Sequence, residues 1–383
     1  MKITLIGPVF PYRGGIAHFT TLLAKELVQS GNDIQTISFK KQYPAWLYPG
    51  ESDKDYSQTR EKVEAEFVIT PFNPLTWHKA VKRILAFHPK KVIIPWWITI
   101  WGPCFHHIIS NLNRHNISTE ILVHNVVPHE ANPIDRWITK WTLSKASHFI
   151  VMTAKEKERL QNILPEPPGI DIVPHPIYQQ FTPSTKEQAE LKKALDLPTD
   201  KKFVLFFGFI RPYKGLMDLI EAFKLINDQD KEIHLIIAGE FWDDREKYIK
   251  RIRDLSLQKT IHIFDHYIPD DEAAQFFEVA DIFVAPYTGG TQSGAVKSAL
   301  GFGMQVIITD IITDDLLSGL PDICTVVPKG SPQSLAEAIR EKISKPALAP
   351  LITRQIFQES WKSLVKVISN DPNQNGLDAD RLP

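Results

Sequence analysis

Cysteine is nearly absent: Cys104 and Cys324 are the only two in 383 residues, far apart and with no spacing partner. A disulfide scaffold, a zinc knuckle and a redox CxxC pair are thereby excluded, and a reducing, cytoplasmic compartment is expected. Net charge is nearly absent too, with 44 Lys+Arg against 45 Asp+Glu, so no nucleic-acid partner is expected. Long apolar runs are missing as well. The nearest approach, VIIPWWITIWGPCFHHIISNLN over residues 92–113, lacks charge, but Pro95, Gly102, Pro103 and His106-His107 interrupt it. A buried strand, a loop and a helix are expected there in place of a membrane span, with Trp96, Trp97 and Trp101 packed in a core or cleft. The N-terminal MKITLIGPVFPYRGG has neither a long apolar stretch nor a small-residue cleavage site and reads as mature sequence.

The chain does contain 43% hydrophobic and 23% charged residues, the composition of a soluble globular protein of two or three domains. The charge is split along it. Residues 1–180 carry 20 Lys+Arg against 15 Asp+Glu and ten of the 13 histidines, whereas residues 181–383 carry 24 against 30. A mildly basic first half suits an anionic lipid or a phosphorylated substrate, or is plain surface variation.

Hydrophobic patterning alternates between the two periods of regular structure. Strands are expected at 2–6, 34–38, 67–70, 92–94, 121–124 and 149–152, with helices after Gly14-Gly15 and at 75–87, 134–146 and 155–163. Residues 39–60 read as a surface loop, and the Pro-rich 164–183 as a linker. Strands then recur at 203–207, 233–238, 261–264, 282–285, 305–308 and 323–327, with helices between them. The predicted fold class is α/β: two doubly wound Rossmann-like domains facing across a cleft, spanning 1–175 and 176–351. A helix over 352–369 is assigned to the first domain, and the polar 370–383 to a disordered tail.

Four loops at strand ends carry residues suited to chemistry. Gly14-Gly15 opens a helix whose free N–H groups face an anion, or forms a flexible turn; the GxGxxG spacing of a nicotinamide site is absent. Around Gly208, Arg211 and Lys214 stand three apart at a helix entrance, where a planar fork and a point charge compensate a diphosphate, unless they are solvated surface charges. Thr291, Gln292, Ser293 and Gly294 form a third loop, in which hydroxyls cap a helix whose dipole favours phosphate. In the fourth, His124, His129 and Glu130 orient hydroxyls or act as base, with helix capping as the competing role. The two histidines lack a third ligand at zinc spacing, and the Asp53-Lys54-Asp55 triplet sits in the polar loop away from any strand end, so no metal site is expected.

Together, Gly14-Gly15, His124, the Arg211 and Lys214 pair, residues 236–240 (IIAGE) and 280–286 (ADIFVAP) resemble the retaining, nucleotide-sugar-dependent glycosyltransferases of family 4, which have the GT-B fold. The resemblance covers nearly the whole chain. It implies metal-independent transfer from a nucleotide-diphosphate sugar, used as co-substrate without a further cofactor, to a glycan or lipid-linked acceptor; the basic first half leaves the protein either cytoplasmic or peripheral at the inner membrane face. Arg211, Lys214 and His124 would be catalytic; Gly14, Gly15, Gly208 and the 291–294 loop would bind donor; His129 and Glu130 would face the acceptor. One departure stands out: the family's two glutamates, eight apart, align with Gly290 and Ser298. A binding protein without turnover is therefore the rival, and a nucleotide-sugar epimerase a second one that lacks an acidic catalytic set.

Overall fold

KITLI, the first strand (β1, Lys2–Ile6), starts a sheet and buries every residue but Lys2. The computed structural model describes residues 1–43, 52–57, 62–127, 132–178, 184, 186–290, 292–312, 317, 322–345 and 350–370, with backbone alone over 350–357. The chain divides into two units, each packed mainly on itself. One comprises Met1–Pro44, Lys62–Pro176 and Gln358–Pro383; the other comprises Ala45–Glu61 and Ile177–Phe357.

The first unit continues with α1 (Gly15–Gln29), β2 (Asp33–Phe39), β3 (Glu66–Ile69), α2 (Pro74–Phe87), β4 (Lys91–Trp96), α3 (Gly102–Arg114) and β5 (Ser118–Val123). It is completed by α4 (Pro133–Leu143), β6 (His148–Val151), α5 (Ala154–Ile163) and β7 (Ile170–Ile172). The seven strands lie parallel in the order β3-β2-β1-β4-β5-β6-β7. Helices cover a parallel sheet on both faces, which explains strands without polar alternation: every residue of β4 is buried. Pro95 is tolerated inside this central strand for a local reason. The Trp96 carbonyl points to the β5 side, accepting from His124 N at 2.9 Å, so Pro95 turns its missing N–H toward β1, where pairing has already ended at Ile93. As expected, 92–113 is a buried strand followed by a helix, and Trp96 and Trp101 are each 1% exposed. No helix among the described residues is long and apolar enough to cross a membrane.

The second unit runs α6 (Gln188–Ala194), β8 (Lys202–Phe207), α7 (Leu216–Asn227), β9 (Ile233–Ala238), α8 (Arg245–Asp254), β10 (Ile261–Phe264) and α9 (Asp270–Val279). After these come β11 (Ile282–Ala285), α10 (Gly294–Gly301), β12 (Gln305–Thr309), β13 (Cys324–Val327) and α11 (Pro332–Ile343). Its parallel order is β10-β9-β8-β11-β12-β13. Two apolar clusters, one on each face, seat it. The last helix, α12 (Pro350–Ser369), buries Trp361, Leu364 and Ile368 in the first unit. Both cysteines are buried.

Two expectations need correction. The expected linker 164–183 contains an edge strand, β7, paired with β6 from Phe149↔Ile170 to Val151↔Ile172, which its prolines disguised. The polar segment 39–60 is not simply a surface loop: β2 extends through Phe39, and Asp55 and Ser57 are buried within the second unit. Tyr267 Oη donates to Asp55 at 2.8 Å, and Asp270 N to Ser57 Oγ at 2.9 Å. Asp55 therefore lies beside the segment that follows β10, near a strand end after all, with its carboxylate engaged in protein hydrogen bonds.

Candidate functional site

In the second unit the chain passes from β8 outward to β9 and β10, then crosses back to β11 on the other side of β8. The loops that leave β8 and β11 diverge at this point, and open α/β sheets bind ligands in the crevice so formed. Gly208, Arg211 and Lys214 lie on the first loop, and Gln292, Ser293 and Gly294 on the second. The structure brings them together. Thr288 N and Gly289 N both donate to the Tyr213 carbonyl, at 2.7 and 3.2 Å, and the Tyr287 and Ser293 hydroxyls are 3.0 Å apart.

Gly215 makes this closure possible. Its φ of 68° is left-handed, and a Cβ there would lie 1.8 Å from the Pro286 carbonyl oxygen. A turn of 3-10 helix over Pro212–Lys214 leads into it and returns the Lys214 ammonium toward Gly208. A Cβ on Gly208 would meet that nitrogen at 3.1 Å, and the ammonium lies 5.7 Å from the centre of the Tyr287 ring. Enclosure of the ammonium, and then repulsion from Arg211, lower its pKa to about 7 although Lys214 as a residue is only half-buried.

On the other loop Ser293 caps α10, accepting from Val296 N at 3.2 Å, so the free amides at the start of this helix open beside the Lys214 loop. The amide nitrogen of Gln292 is buried without a hydrogen-bond partner among the described residues. Ser298 donates to Gly294 O at 3.2 Å, and Gly290 has a φ of 91°, where a glutamate would be strained. Thr291 lies outside the described residues.

Sequence reasoning missed an aromatic support. The segment after β9 runs beside 208–211, held by the Ile210↔Phe241 bridge and by Trp242 N donating to Ile210 O at 2.9 Å. This stacks Trp242 on Phe209, with ring centres 4.2 Å apart, and places the Arg211 guanidinium 4.4 Å from the Trp242 ring centre. Lys297, 1% exposed on α10, also went unnoticed, because Ala295-Val296 before it and Ala299-Leu300 after Ser298 hide a single lysine in a helical pattern.

The first unit holds the remaining candidates. Gly14, with φ 99°, precedes α1, and Gly15 is its first residue; a Cβ on either would meet nothing within 4 Å among the described residues. His124 follows β5 with its ring 4.7 Å from Phe19 of α1, edge to face. Burial, and then neighbouring His175, hold the His124 imidazole down at about 3, so it stays neutral and does not serve as a base near pH 7. Its Nε2 has no hydrogen-bond partner among the described residues. His129 and Glu130 lie outside the described residues.

Two parallel-sheet α/β units in this order define the GT-B fold, and solved structures match along nearly the whole chain. Sucrose-phosphate synthase from Thermosynechococcus elongatus is 16% identical with TM-score 0.65, covering 96% of this chain and 95% of its own. Anabaena HepE in complex with UDP-glucose is 14% identical with TM-score 0.66, covering 96% and 100%. Residues 201–345, all within the second unit, match the family described as Glycosyl transferases group 1. In sequence, the chain is 27% identical over 232 residues to TuaC of Bacillus subtilis, a candidate teichuronic acid biosynthesis glycosyltransferase, a match that covers 59% of this chain and 55% of TuaC. The lipopolysaccharide 1,2-N-acetylglucosaminetransferase of Salmonella typhimurium is 26% identical over 123 residues, 31% of this chain and 32% of that protein. The chain thus spans about half or less of the curated relatives it matches.

Proposed function

We propose that the protein transfers a sugar from a nucleotide-diphosphate sugar to a hydroxyl acceptor, with retention of anomeric configuration, in polysaccharide, lipopolysaccharide or glycolipid assembly. The observation that carries this reading is the juxtaposition of Arg211, Lys214 and the N-terminus of α10 at the β8/β11 divergence. As the glycosidic bond to the diphosphate breaks, negative charge grows on the leaving oxygen. Arg211, Lys214 once the bound diphosphate has restored its charge, and aligned amides, all positioned in advance, stabilise that charge and compensate it without requiring a metal. Gln292 supplies a further donor at the same loop. Neutral His124 serves as a hydrogen-bonding group toward sugar hydroxyls, and His129 and Glu130 are assigned to the acceptor side. The relatives named for teichuronic acid and lipopolysaccharide assembly support a glycan or lipid-linked acceptor, and a fold neighbour that holds UDP-glucose supports the donor class.

One observation favours a second reading, binding without turnover: Gly290 and Ser298 stand where the family's glutamates are expected, and the Ser298 hydroxyl is spent on its own helix. Incubation with a panel of nucleotide sugars and glycan acceptors, followed by NMR of the anomeric proton, separates the two. Product with the donor's anomeric configuration supports transfer. Nucleotide binding with neither transfer nor donor hydrolysis overturns it in favour of the second reading.

A further inference from the structure

Residues 52–57 precede β3 in the sequence, yet they belong to the second unit, and two of their polar side chains are buried: Asp55 is 1% exposed and Ser57 3%. Their spacing is that of an Asx turn, in which Ser57 N donates to Asp55 Oδ1 at 2.8 Å and the Ser57 hydroxyl donates to the same oxygen. A buried carboxylate has to be satisfied by donors, and a further one is Tyr267 Oη, 2.8 Å from Oδ2. Ser57 Oγ in turn accepts from Asp270 N, the first amide of α9, at 2.9 Å. Pro269, at the N-cap of that helix, supplies no side-chain cap, so Ser57 does so from more than 200 residues away. The connection from β10 to α9 is thus held at Tyr267 and at its exit by one short segment.

Tyr267 also begins an aromatic row that ends on the donor loop. The segments leaving β10, β9 and β8, neighbours in the sheet, contribute Tyr267, Trp242 and Phe209. Tyr267 and Phe209 have ring centres 6.3 Å apart at 26°, and Phe209 and Trp242 lie 4.2 Å apart at 24°. The Arg211 guanidinium rests on Trp242. All four side chains are only partly buried. Side chains this open keep rotamer freedom unless something fixes them, and the buried Asp55 carboxylate fixes the far end of the row.

From this continuity we infer that Asp55 and Tyr267 are positioning residues of the donor site: the bond between them fixes the row of Tyr267, Phe209 and Trp242 and, through it, the Arg211 guanidinium before a diphosphate arrives. Such ordering in advance improves affinity by removing a cost of binding. The Tyr267 hydroxyl is spent on Asp55, and a carboxylate has the wrong charge for a phosphate, so both residues act through Arg211. Their role rests on the reading of Arg211 as a diphosphate clamp.

The test is calorimetric titration of the whole chain with UDP, GDP, ADP and dTDP, the tightest binder being carried through the variants. Tyr267→Phe and Asp55→Asn are each expected to weaken binding about threefold to tenfold, within the coupling shown by residues that share a contact. The two together lose no more than either alone, because one bond is lost in all three variants. Tyr267→Phe keeps the ring in the row, and circular dichroism checks the fold. In an Arg211→Ala background the same change costs less than about twofold, the size of an uncoupled effect. Wild-type affinity in both single variants overturns the inference. So does an equal loss with and without Arg211, which makes Tyr267 a direct ligand contact or a general support of the unit. Failure of the clamp reading looks different: Arg211→Ala then binds like the wild type, or none of the four nucleotides binds, and the positioning role falls with it.

Discussion

The Arg211 guanidinium lies 4.4 Å from the centre of the Trp242 ring, so the cation of the β8 loop rests on a side chain delivered by the segment after β9. The indole fixes the fork before any ligand arrives. Arg211→Ala is expected to weaken nucleoside diphosphate binding roughly 10-fold to 100-fold, the loss of one charge-assisted contact of about 1.5–3 kcal/mol. Trp242→Ala is expected to weaken it less, by leaving the guanidinium free to wander. Isothermal titration calorimetry measures both, and unchanged affinity in Arg211→Ala removes the clamp assignment.

Lys214 makes binding depend on protons. Its folded value is about 7, against an ordinary 10.5, so at pH 8 the free protein holds it mostly neutral. A bound diphosphate restores the charge. Binding at pH 8 therefore takes up a proton, and affinity falls as pH rises through 7 and above. The unfolded chain keeps this lysine charged up to about its ordinary value, so it binds more protons than the folded one between about 7 and 10.5, and stability without ligand rises across that window. Lys214→Met is expected to be more stable than the wild type below pH 7 and to lose the proton uptake. Calorimetry in two buffers of different ionisation enthalpy reads the uptake directly, and identical heats in both contradict it.

His124 is expected to be silent over the working range. With a folded value of about 3 and an ordinary value of 6.5, it is neutral from pH 5 to 9. Its contribution to stability is fully present above pH 6.5 and is lost as pH falls from there toward 3, because only the unfolded state then takes the proton. The imidazole proton resonances of His124, assigned through a His124→Gln comparison, should not shift between pH 5 and 8. A titration centred near 6.5 would show the ring to be exposed.

Gly215→Ala tests the joint between the two loops. The added methyl group meets the Pro286 carbonyl in a left-handed backbone conformation, so about 3 kcal/mol or more of stability is expected to be lost. Thermal unfolding measures it. A near-native melting temperature would mean that the loops are not held together as described.

Lys91 and Glu120 form a buried pair on adjacent strands of the first unit, each 3% exposed. Burial raises the Glu120 pKa more than Lys91 lowers it. Lys91→Met strands a carboxylate in the sheet and is expected to cost about 3–5 kcal/mol, whereas Lys91→Met with Glu120→Leu recovers most of it. Denaturant unfolding of the single and double variants distinguishes the pair from two independent sites.

Runs such as FVLFF in β8 and IHLIIA in β9 were legible because a strand covered on both faces needs no polar alternation, and the Gly208 and Gly294 loops because they stand where such runs stop. Short polar elements were not legible: α6 and β7 bury little of themselves and leave no period to detect. Asp55 was illegible for another reason, since its partner Tyr267 is 212 residues away. Trp242 belongs to the same class. Its contact with Arg211 arises from two loops running side by side, and nothing in either stretch alone announces it.

The last helix has a consequence for how the protein comes into being. Trp361 covers Phe19 at 5.5 Å, and Ser369 accepts a hydrogen bond from Asn32, so the first unit is closed by its last-made residues. The ribosome releases β1 before, and Trp361 after, nearly all of the other unit. During synthesis the N-terminal sheet therefore waits with Phe19 uncovered, and the unit that starts first is the one that finishes last.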